Sequence, residues 1–221
     1  AERYIYTKKF SLPEGFMKDR LLVHFGAVDQ IAYVYLNGSF AGEHVGGYLP
    51  FTVDLTSLLC EGENELVVEV EDTLDLELGY GKQTYKRGGM WYTPVSGIWQ
   101  TVWLEPVKPV HIVSYEPIPD IDNSCVSIKV KTSAPCNVTL TVKDGNNKIT
   151  EQTGASDQVF TLSIPSAKLW SPDEPNLYDL DITINEQGKE IDKVSGYFGM
   201  RKFSRAIADG KPCLLLNNKP L

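Results

Sequence analysis

The chain has 221 residues, enough for one large or two ordinary domains that each bury a core. Hydrophobic residues make up 42% and charged residues 23%, the balance of a globular protein, and no apolar run approaches the ~18 residues of a membrane span. The formal net charge of −8 disfavours a phosphate-binding surface, because affinity for nucleic acid depends on Lys and Arg. We therefore expect neither nucleic acid nor a membrane as a partner.

Short segments rich in β-branched and aromatic residues dominate the first hundred positions and predict strands. They are residues 20–25, 31–36, 64–71 and 98–104. Asn37-Gly38 is the strongest signal for a two-residue hairpin. The only helix-like stretch is 57–60, so the pattern predicts an all-β chain.

A polar loop with three glycines, residues 81–92 (GKQTYKRGGMWY), interrupts the strand pattern. Loops on a rigid scaffold often carry ligand contacts. Because aromatic rings stack on the C–H faces of sugars, Trp91 and Tyr92 are candidate sugar contacts. For Trp91 the pattern leaves two interpretations open, a position near a sugar or packing in an interface.

Trp99 and Trp103 share one face of the predicted strand 98–104, and Val102 and Leu104 share the other. A strand that is apolar on both faces is typical of a buried position. We therefore expect this strand, with both tryptophans, to be buried between sheets or between domains.

Two prolines, Pro106 and Pro109, mark a composition change and the first expected domain boundary. Seven strand candidates follow, with the count and spacing of an immunoglobulin-like sandwich. Trp170, before Ser171-Pro172, is expected in the core of this sandwich. The composition changes again from position 206. The seven candidates are 111–116, 125–131, 137–143, 158–164, 177–184, 191–197 and 200–204.

The four cysteines show neither CxxC nor Cys/His metal-site spacing and are expected to be buried free thiols. A pair between Cys125 and Cys136 stays open, because connectivity does not follow from sequence. The first residues carry no visible secretory signal, so cytoplasmic, periplasmic and secreted locations all stay open.

The sequence shows no clear arrangement of catalytic or metal-binding residues. His24, His44 and His111 are scattered, and no nucleotide or nucleophile-elbow motif is present, so we expect no metal and no cofactor. The paired acids lie at predicted strand ends and turns, where carboxylates are usually solvated or cap the backbone. These pairs are Asp72/Asp75, Asp75/Glu77, Asp120/Asp122 and Asp173/Glu174.

Six segments together resemble the accessory β-domains of glycoside hydrolase family 2, which contains β-galactosidases, β-glucuronidases and β-mannosidases. The match runs in the same order as in that family and spans nearly the whole chain. The segments are 22–38, 43–55, 96–105, 169–178, 197–201 and 214–221.

The resemblance implies a jelly-roll sugar-binding domain at 1–108, an immunoglobulin-like β-sandwich at 109–205, and at 206–221 a linker and lead-in to a catalytic barrel. In that family both catalytic glutamates come from the barrel. We therefore expect residues 1–221 to be inactive alone, as the front of an enzyme that hydrolyses terminal β-glycosides with retention, as β-galactosidases do. A stand-alone carbohydrate-binding module and a structural β-sandwich are the alternatives.

The resemblance also places Gln83, Gly89, Met90 and Trp91 near the sugar. Gly89 stands where β-galactosidases of the family tend to carry an aspartate. Lys82, Gln83 and Arg87 are candidates to fill the space that the aspartate side chain would occupy. The expected partners are a β-glycoside and the barrel. A Trp-containing segment precedes the first strand, here 6–10, in the family; without it an exposed sheet edge makes a homo-oligomer possible.

Overall fold

The computed structural model describes residues 2–75, 77–86, 88–208 and 210–221, and the side chains of Glu2 and Ala208 also lie outside this description. The chain divides into two compact units, one ending at Lys108 and the other beginning at Pro109. Strands supply nearly all the regular structure, so the predicted all-β class is confirmed. The only helical element in the described ranges is the 3-10 turn Thr56–Leu58, close to the helix-like stretch of the sequence.

The first unit is a jelly-roll sandwich of antiparallel sheets. One sheet has the order β1-β7-β4-β5, the second has the order β6-β2-β9, and β3 and β8 form a short pair. In chain order, β1 to β9 are Glu2–Ser11, Arg20–Phe25, Val28–Asp29, Ile31–Leu36, Ser39–Val45, Phe51–Asp54, Glu63–Asp72, Gly97–Ile98 and Val102–Val107.

Alternation of apolar and polar residues builds the core of this unit. In β4 every second residue is buried, and in β7 the same period holds over ten positions, as expected for strands with one face on a core. The predicted Asn37-Gly38 hairpin joins β4 to β5, with φ values of 52° and 78° that suit these two residue types. The Asn37 side-chain amide also donates to the side-chain oxygen of Asn64 at 2.8 Å, which ties the hairpin to β7.

The second unit has the two sheets of an immunoglobulin-like sandwich and then a three-stranded meander. The sheets have the orders β10-β11-β14 and β13-β12-β15-β16, and the meander has the order β17-β18-β19. Strand 147–155 is absent from the sequence prediction, and the strand expected at 200–204 begins at Phe203. In chain order, β10 to β19 are Ile112–Asp120, Cys125–Thr132, Asn137–Asp144, Asn147–Ala155, Val159–Ser163, Tyr178–Glu186, Lys189–Phe198, Phe203–Ala208, Lys211–Leu216 and Lys219–Pro220.

Three expectations about buried side chains are wrong. Trp170 is only half-buried, because its ring lies under the Arg201 guanidinium at 4.7 Å instead of in the core. Trp99 and Trp103 are 50% and 46% exposed. The predicted strand 98–104 is interrupted, so its two halves belong to different sheets. Cys60 is exposed and the other three cysteines are partly exposed; all four are free thiols.

Asp181 of β15 provides a test of the charged outer face of the second unit. Lys143 donates to its carboxylate at 2.6 Å, and Ser195 and Lys193 lie on the same carboxylate. These partners, Lys143 first, lower the pKa of Asp181 to about 2. A carboxylate with a lowered pKa stabilises the fold above the pKa of the unfolded chain, and this contribution is lost as the pH falls through the folded value.

We expect Asp181→Asn to lower the free energy of unfolding by about 1 kcal/mol at neutral pH. The difference from the unsubstituted protein should shrink as the pH falls from about 4 to about 2. Urea titrations across that range measure it, with Asp157→Asn, an exposed acid with no ion pair in the described structure, as the control. A constant difference at all pH values would contradict this account.

Candidate functional site

Two loops meet at one end of the jelly roll. The first, residues 46–50, connects β5 to β6, and the second, residues 73–96, connects β7 to β8. Tyr48 of the first loop packs against the second, since a Cβ added to Gly81 would lie 2.7 Å from the Tyr48 hydroxyl. The Tyr48 ring in turn meets Trp99 edge-on, with 6.1 Å between ring centroids. The loops therefore form one continuous surface.

Buried polar side chains lie beneath this surface. Asp29 and Gln30 follow the apolar start of β3, Asp72 ends β7, and Gln83 lies within the long loop; each is at most 8% exposed. Buried polar groups need hydrogen-bond partners, because an unpaired one costs about 1–3 kcal/mol. The partners of these four side chains show what they do.

Gln83 joins the long loop to the sheet. Its amide nitrogen donates to Oδ2 of Asp29 at 3.1 Å, and its amide oxygen accepts the backbone N–H of Val95 at 2.6 Å. The backbone of Tyr92 pairs with the same stretch, donating to the carbonyl of Lys82 at 2.8 Å. Both ends of the Gln83 amide are therefore used, and its side chain points into the protein.

Gln30 and Asp72 hold the start of the loop. The Gln30 amide oxygen accepts the backbone N–H of Asp75 at 3.2 Å, and its amide nitrogen donates to the Asp75 carbonyl at 3.4 Å. Asp72 accepts the N–H of Leu74 at 2.9 Å and the hydroxyl of Ser96, so it ties the first residues of the loop to the last. The base of the loop is therefore closed by the side chains of Asp72, at the end of β7, and of Gln30, between β3 and β4.

Asp29 brings a carboxyl group into this buried set, since the residue is only 6% exposed. Burial raises the pKa of its carboxyl above the usual range; the Gln83 hydrogen bond opposes this shift, and the nearby Asp72 carboxylate adds to it. One oxygen of Asp29 lies where a side chain on Gly47 would overlap it. Glycine at 47 is therefore required by this close approach.

The predicted sugar-proximal residues divide between the interior and the surface. Gln83 is buried, whereas Met90 and Trp91 are 60% and 45% exposed at the tip of the loop. Gly89 has φ of +61°, in the left-handed region that favours glycine, and a Cβ there would meet no atom within 4 Å. Gly89 shapes the turn that presents Met90 and Trp91. Arg87 lies outside the described residues.

Three of the four acidic pairs noted in the sequence, all except Asp173/Glu174, have a structural partner in the described structure. Asp75 caps the backbone N–H of Glu77 at 2.9 Å, and Asp122 pairs with Lys202. Asp120 accepts the N–H of Asp122 at 3.1 Å, as an Asx turn does. No group of three metal-ligating side chains occurs in the described part of the chain. No helix there has the length and apolarity needed to cross a bilayer.

Sequence reasoning missed the anchors of the loop. Asp29 and Gln30 interrupt an apolar run at 27–34, and two adjacent polar residues in such a run were the one available signal that something polar is buried there. Tyr48 gave no signal, because its role arises from contacts with residues distant in sequence.

Two family models cover most of the chain in sequence order. The model described as "Glycosyl hydrolases family 2, sugar binding domain" matches residues 1–107, and the model described as "Glycosyl hydrolases family 2" matches residues 110–201. The chain belongs to glycosyl hydrolases family 2.

Relatives of this family 2 chain are glycosidases by name. It is 28% identical to a putative β-glucuronidase of Formosa agariphila, over 82% of the chain and 23% of that protein. It is also 28% identical to the β-galactosidase large subunit of Leuconostoc lactis, over 98% of the chain and 34% of that protein. A solved β-glycosidase from Bacteroides vulgatus is 26% identical, with a TM-score of 0.79, over 100% of this chain and 28% of that one. The chain therefore spans between 23% and 34% of the length of these relatives.

The anchoring role of Gln83 predicts a local effect on the loop. Gln83→Ala leaves the Asp29 carboxylate and the Val95 N–H without partners, so we expect a loss of about 1–3 kcal/mol in unfolding free energy. Amide exchange at Val95 and Tyr92 should accelerate more than exchange in the strands.

Gln152→Ala is the matched control, because Gln152 is exposed on β13 and makes no side-chain hydrogen bond in the described structure. Denaturant titration and hydrogen exchange measure both variants. Unchanged exchange at Val95 in Gln83→Ala would refute the anchoring role.

Proposed function

We propose that residues 1–221 are the accessory portion of a family 2 enzyme that hydrolyses terminal β-glycosides, β-galactosides foremost, with retention. The observation that carries the proposal is the ordered match of both family models, over 1–107 and 110–201, in a chain that spans 23–34% of the curated relatives named above. The remainder of such an enzyme would hold the catalytic machinery.

The use of carboxylates within the chain supports this division. Retaining glycosidases need two carboxyl groups about 5 Å apart, facing the scissile bond from opposite sides. The two most buried acids near the loops, Asp29 and Asp72, face protein donors instead: Gln83 for the first, Leu74 and Ser96 for the second. Carboxylates engaged in this way hold the loop, and the reacting pair would come from elsewhere in the enzyme.

Within the loop we propose Met90 and Trp91 as the residues that approach the sugar. Both are exposed at the tip, next to a turn formed by Gly88 and Gly89 with positive φ. Gln83 would act through the loop, as an anchor, because its amide is already engaged by Asp29 and Val95. Gly89 would contribute the turn and leave space beside the indole of Trp91.

A carbohydrate-binding module that works without a catalytic domain is the second candidate. The observation in its favour is that Trp91 and Tyr92, 45% and 65% exposed, offer adjacent aromatic rings within this chain alone. Such rings are the usual means by which a module without catalytic groups holds a sugar. Binding and hydrolysis measurements separate the two candidates.

The 221-residue protein should not hydrolyse chromogenic β-galactosides or β-glucuronides, because the buried acids beside its loops, Asp29 and Asp72, are engaged by protein donors. Rates with each substrate should equal those of a buffer blank. Asp72→Asn and Asp29→Asn preparations serve as controls for contaminating enzyme. Turnover that either substitution abolishes would disprove the proposal that the catalytic carboxylates lie outside residues 1–221.

Trp91→Ala tests the role of the loop. In the longer enzyme that the proposal requires, we expect KM for a β-galactoside to rise about three- to tenfold, since an aromatic contact contributes about 0.5–1.5 kcal/mol. Trp170→Ala in the second unit is the control and should leave KM unchanged.

In the 221-residue protein alone, calorimetry with methyl β-galactoside should show no binding. Binding by the unsubstituted chain that Trp91→Ala removes would favour the stand-alone module instead.

A further inference from the structure

The short strand pair of β3 and β8 supports both loops at this end of the jelly roll. Asp29 on β3 pairs with Gly97 on β8, and Trp99 directly follows β8. Asp29 anchors the long loop through the Gln83 amide. Trp99 makes a second set of contacts from the same base, and these contacts lead to the other loop.

The indole of Trp99 holds the start of the loop 46–50. Its Nε1 donates to the carbonyl of Gly47 at 2.8 Å, and the N–H of Gly46 donates to the carbonyl of Gln30 at 2.8 Å. On its other side Gly47 lies against the carboxylate of Asp29, with no room for a Cβ. Two hydrogen bonds and one close contact therefore fix the two glycines.

Tyr48 comes next in the chain and lies between Trp99 and the long loop. The two rings meet edge-on, with 6.1 Å between centroids and 71° between ring planes. A Cβ added to Gly79 would lie 3.6 Å from the Tyr48 ring, and one added to Gly81 would lie 2.7 Å from its hydroxyl. The position of the Tyr48 ring therefore limits where the backbone of the long loop can lie at these two glycines.

Backbone hydrogen bonding connects this contact to the exposed tip of the long loop. Lys82 directly follows the second of the two glycines that Tyr48 touches, and its carbonyl accepts the N–H of Tyr92 at 2.8 Å. Tyr92 is the neighbour of Trp91 in sequence. The buried side chain of Gln83 fixes the same stretch from the interior, whereas the half-exposed ring of Tyr48 touches it at the surface.

We propose that Trp99 is a positioning residue for the long loop. It holds Gly47 and Tyr48, and Tyr48 fixes the segment to which Trp91 is connected through Tyr92. The indole N–H is the only polar group of tryptophan, so its bond to Gly47 determines how this 50% exposed ring is oriented. The consequence for substrate binding rests on the proposed role of Trp91 near the sugar.

Trp99→Phe tests the proposal in the 221-residue protein, because it removes the indole N–H and retains an aromatic ring. We expect the Tyr92 amide to exchange about three- to tenfold faster, equivalent to about 0.6–1.4 kcal/mol. The Val95 amide, whose acceptor is Gln83, should change less than about twofold. Tyr48→Ala should give the same pattern, because it removes the ring that touches the loop.

Trp103→Phe is the matched control, the same substitution at a tryptophan of similar exposure that stacks on His24. It should leave exchange at Tyr92 unchanged, and circular dichroism and thermal melts check that each variant folds. Unchanged exchange at Tyr92 in Trp99→Phe would overturn the proposal. So would equal acceleration at Tyr92 and Val95, which would indicate general loosening of the loop.

Kinetics of the longer enzyme test the consequence for the sugar. Trp99→Phe should raise KM for a β-galactoside about two- to fivefold with little change in kcat. It should add nothing in a Trp91→Ala background, because it acts through Trp91. Additive effects would mean that Trp99 touches the sugar itself, and would overturn the positioning role. If Trp91→Ala alone leaves KM unchanged, the proposed function of the loop fails, and the exchange measurements still decide the role of Trp99.

Discussion

In the described part of the loop 73–96, which leaves out residues 76 and 87, isolated bridges take the place of a ladder, and the bond between Gln83 and Asp29 ties the middle of the loop to the sheet. A loop of this length loses much conformational entropy when it is ordered, and its buried backbone groups need partners. Asp29 is already fixed in β3, so its hydrogen bond with Gln83 holds the middle of the loop against the sheet. Without it Val95 would also lose its acceptor, since the same amide serves both.

This arrangement has an electrostatic cost. Burial raises the pKa of Asp29, so its charged form is less favourable in the folded protein than in water. Replacing a buried polar pair by apolar residues is often neutral or stabilising in other proteins. Retaining a desolvated carboxylate here is therefore better explained by positioning than by stability, because it fixes one loop conformation, and Met90 and Trp91 are exposed in that conformation.

The sequence predicted what depends on local pattern and missed what depends on distant contacts. Alternation and the Asn37-Gly38 turn were sufficient for the all-β class and for the β4–β5 hairpin. Strand β13 was not predicted from the sequence, because most of its residues are exposed and the strand therefore has little apolar alternation. Trp99 and Trp103 were misplaced because the break between β8 and β9 leaves no local signal. The partners Gln83 and Asp29 are 54 positions apart, and no periodicity relates them.

The loop end and the β9 edge of the jelly roll satisfy their backbone groups in different ways. At the loop end, buried side chains satisfy the backbone, and the rings of Trp91 and Tyr92 are exposed. At the β9 edge, Val102 and Leu104 direct their backbone groups away from β2. Pro106, which has no N–H, takes the next outward-facing position, so β9 offers a strand that pairs there only a short run of donors.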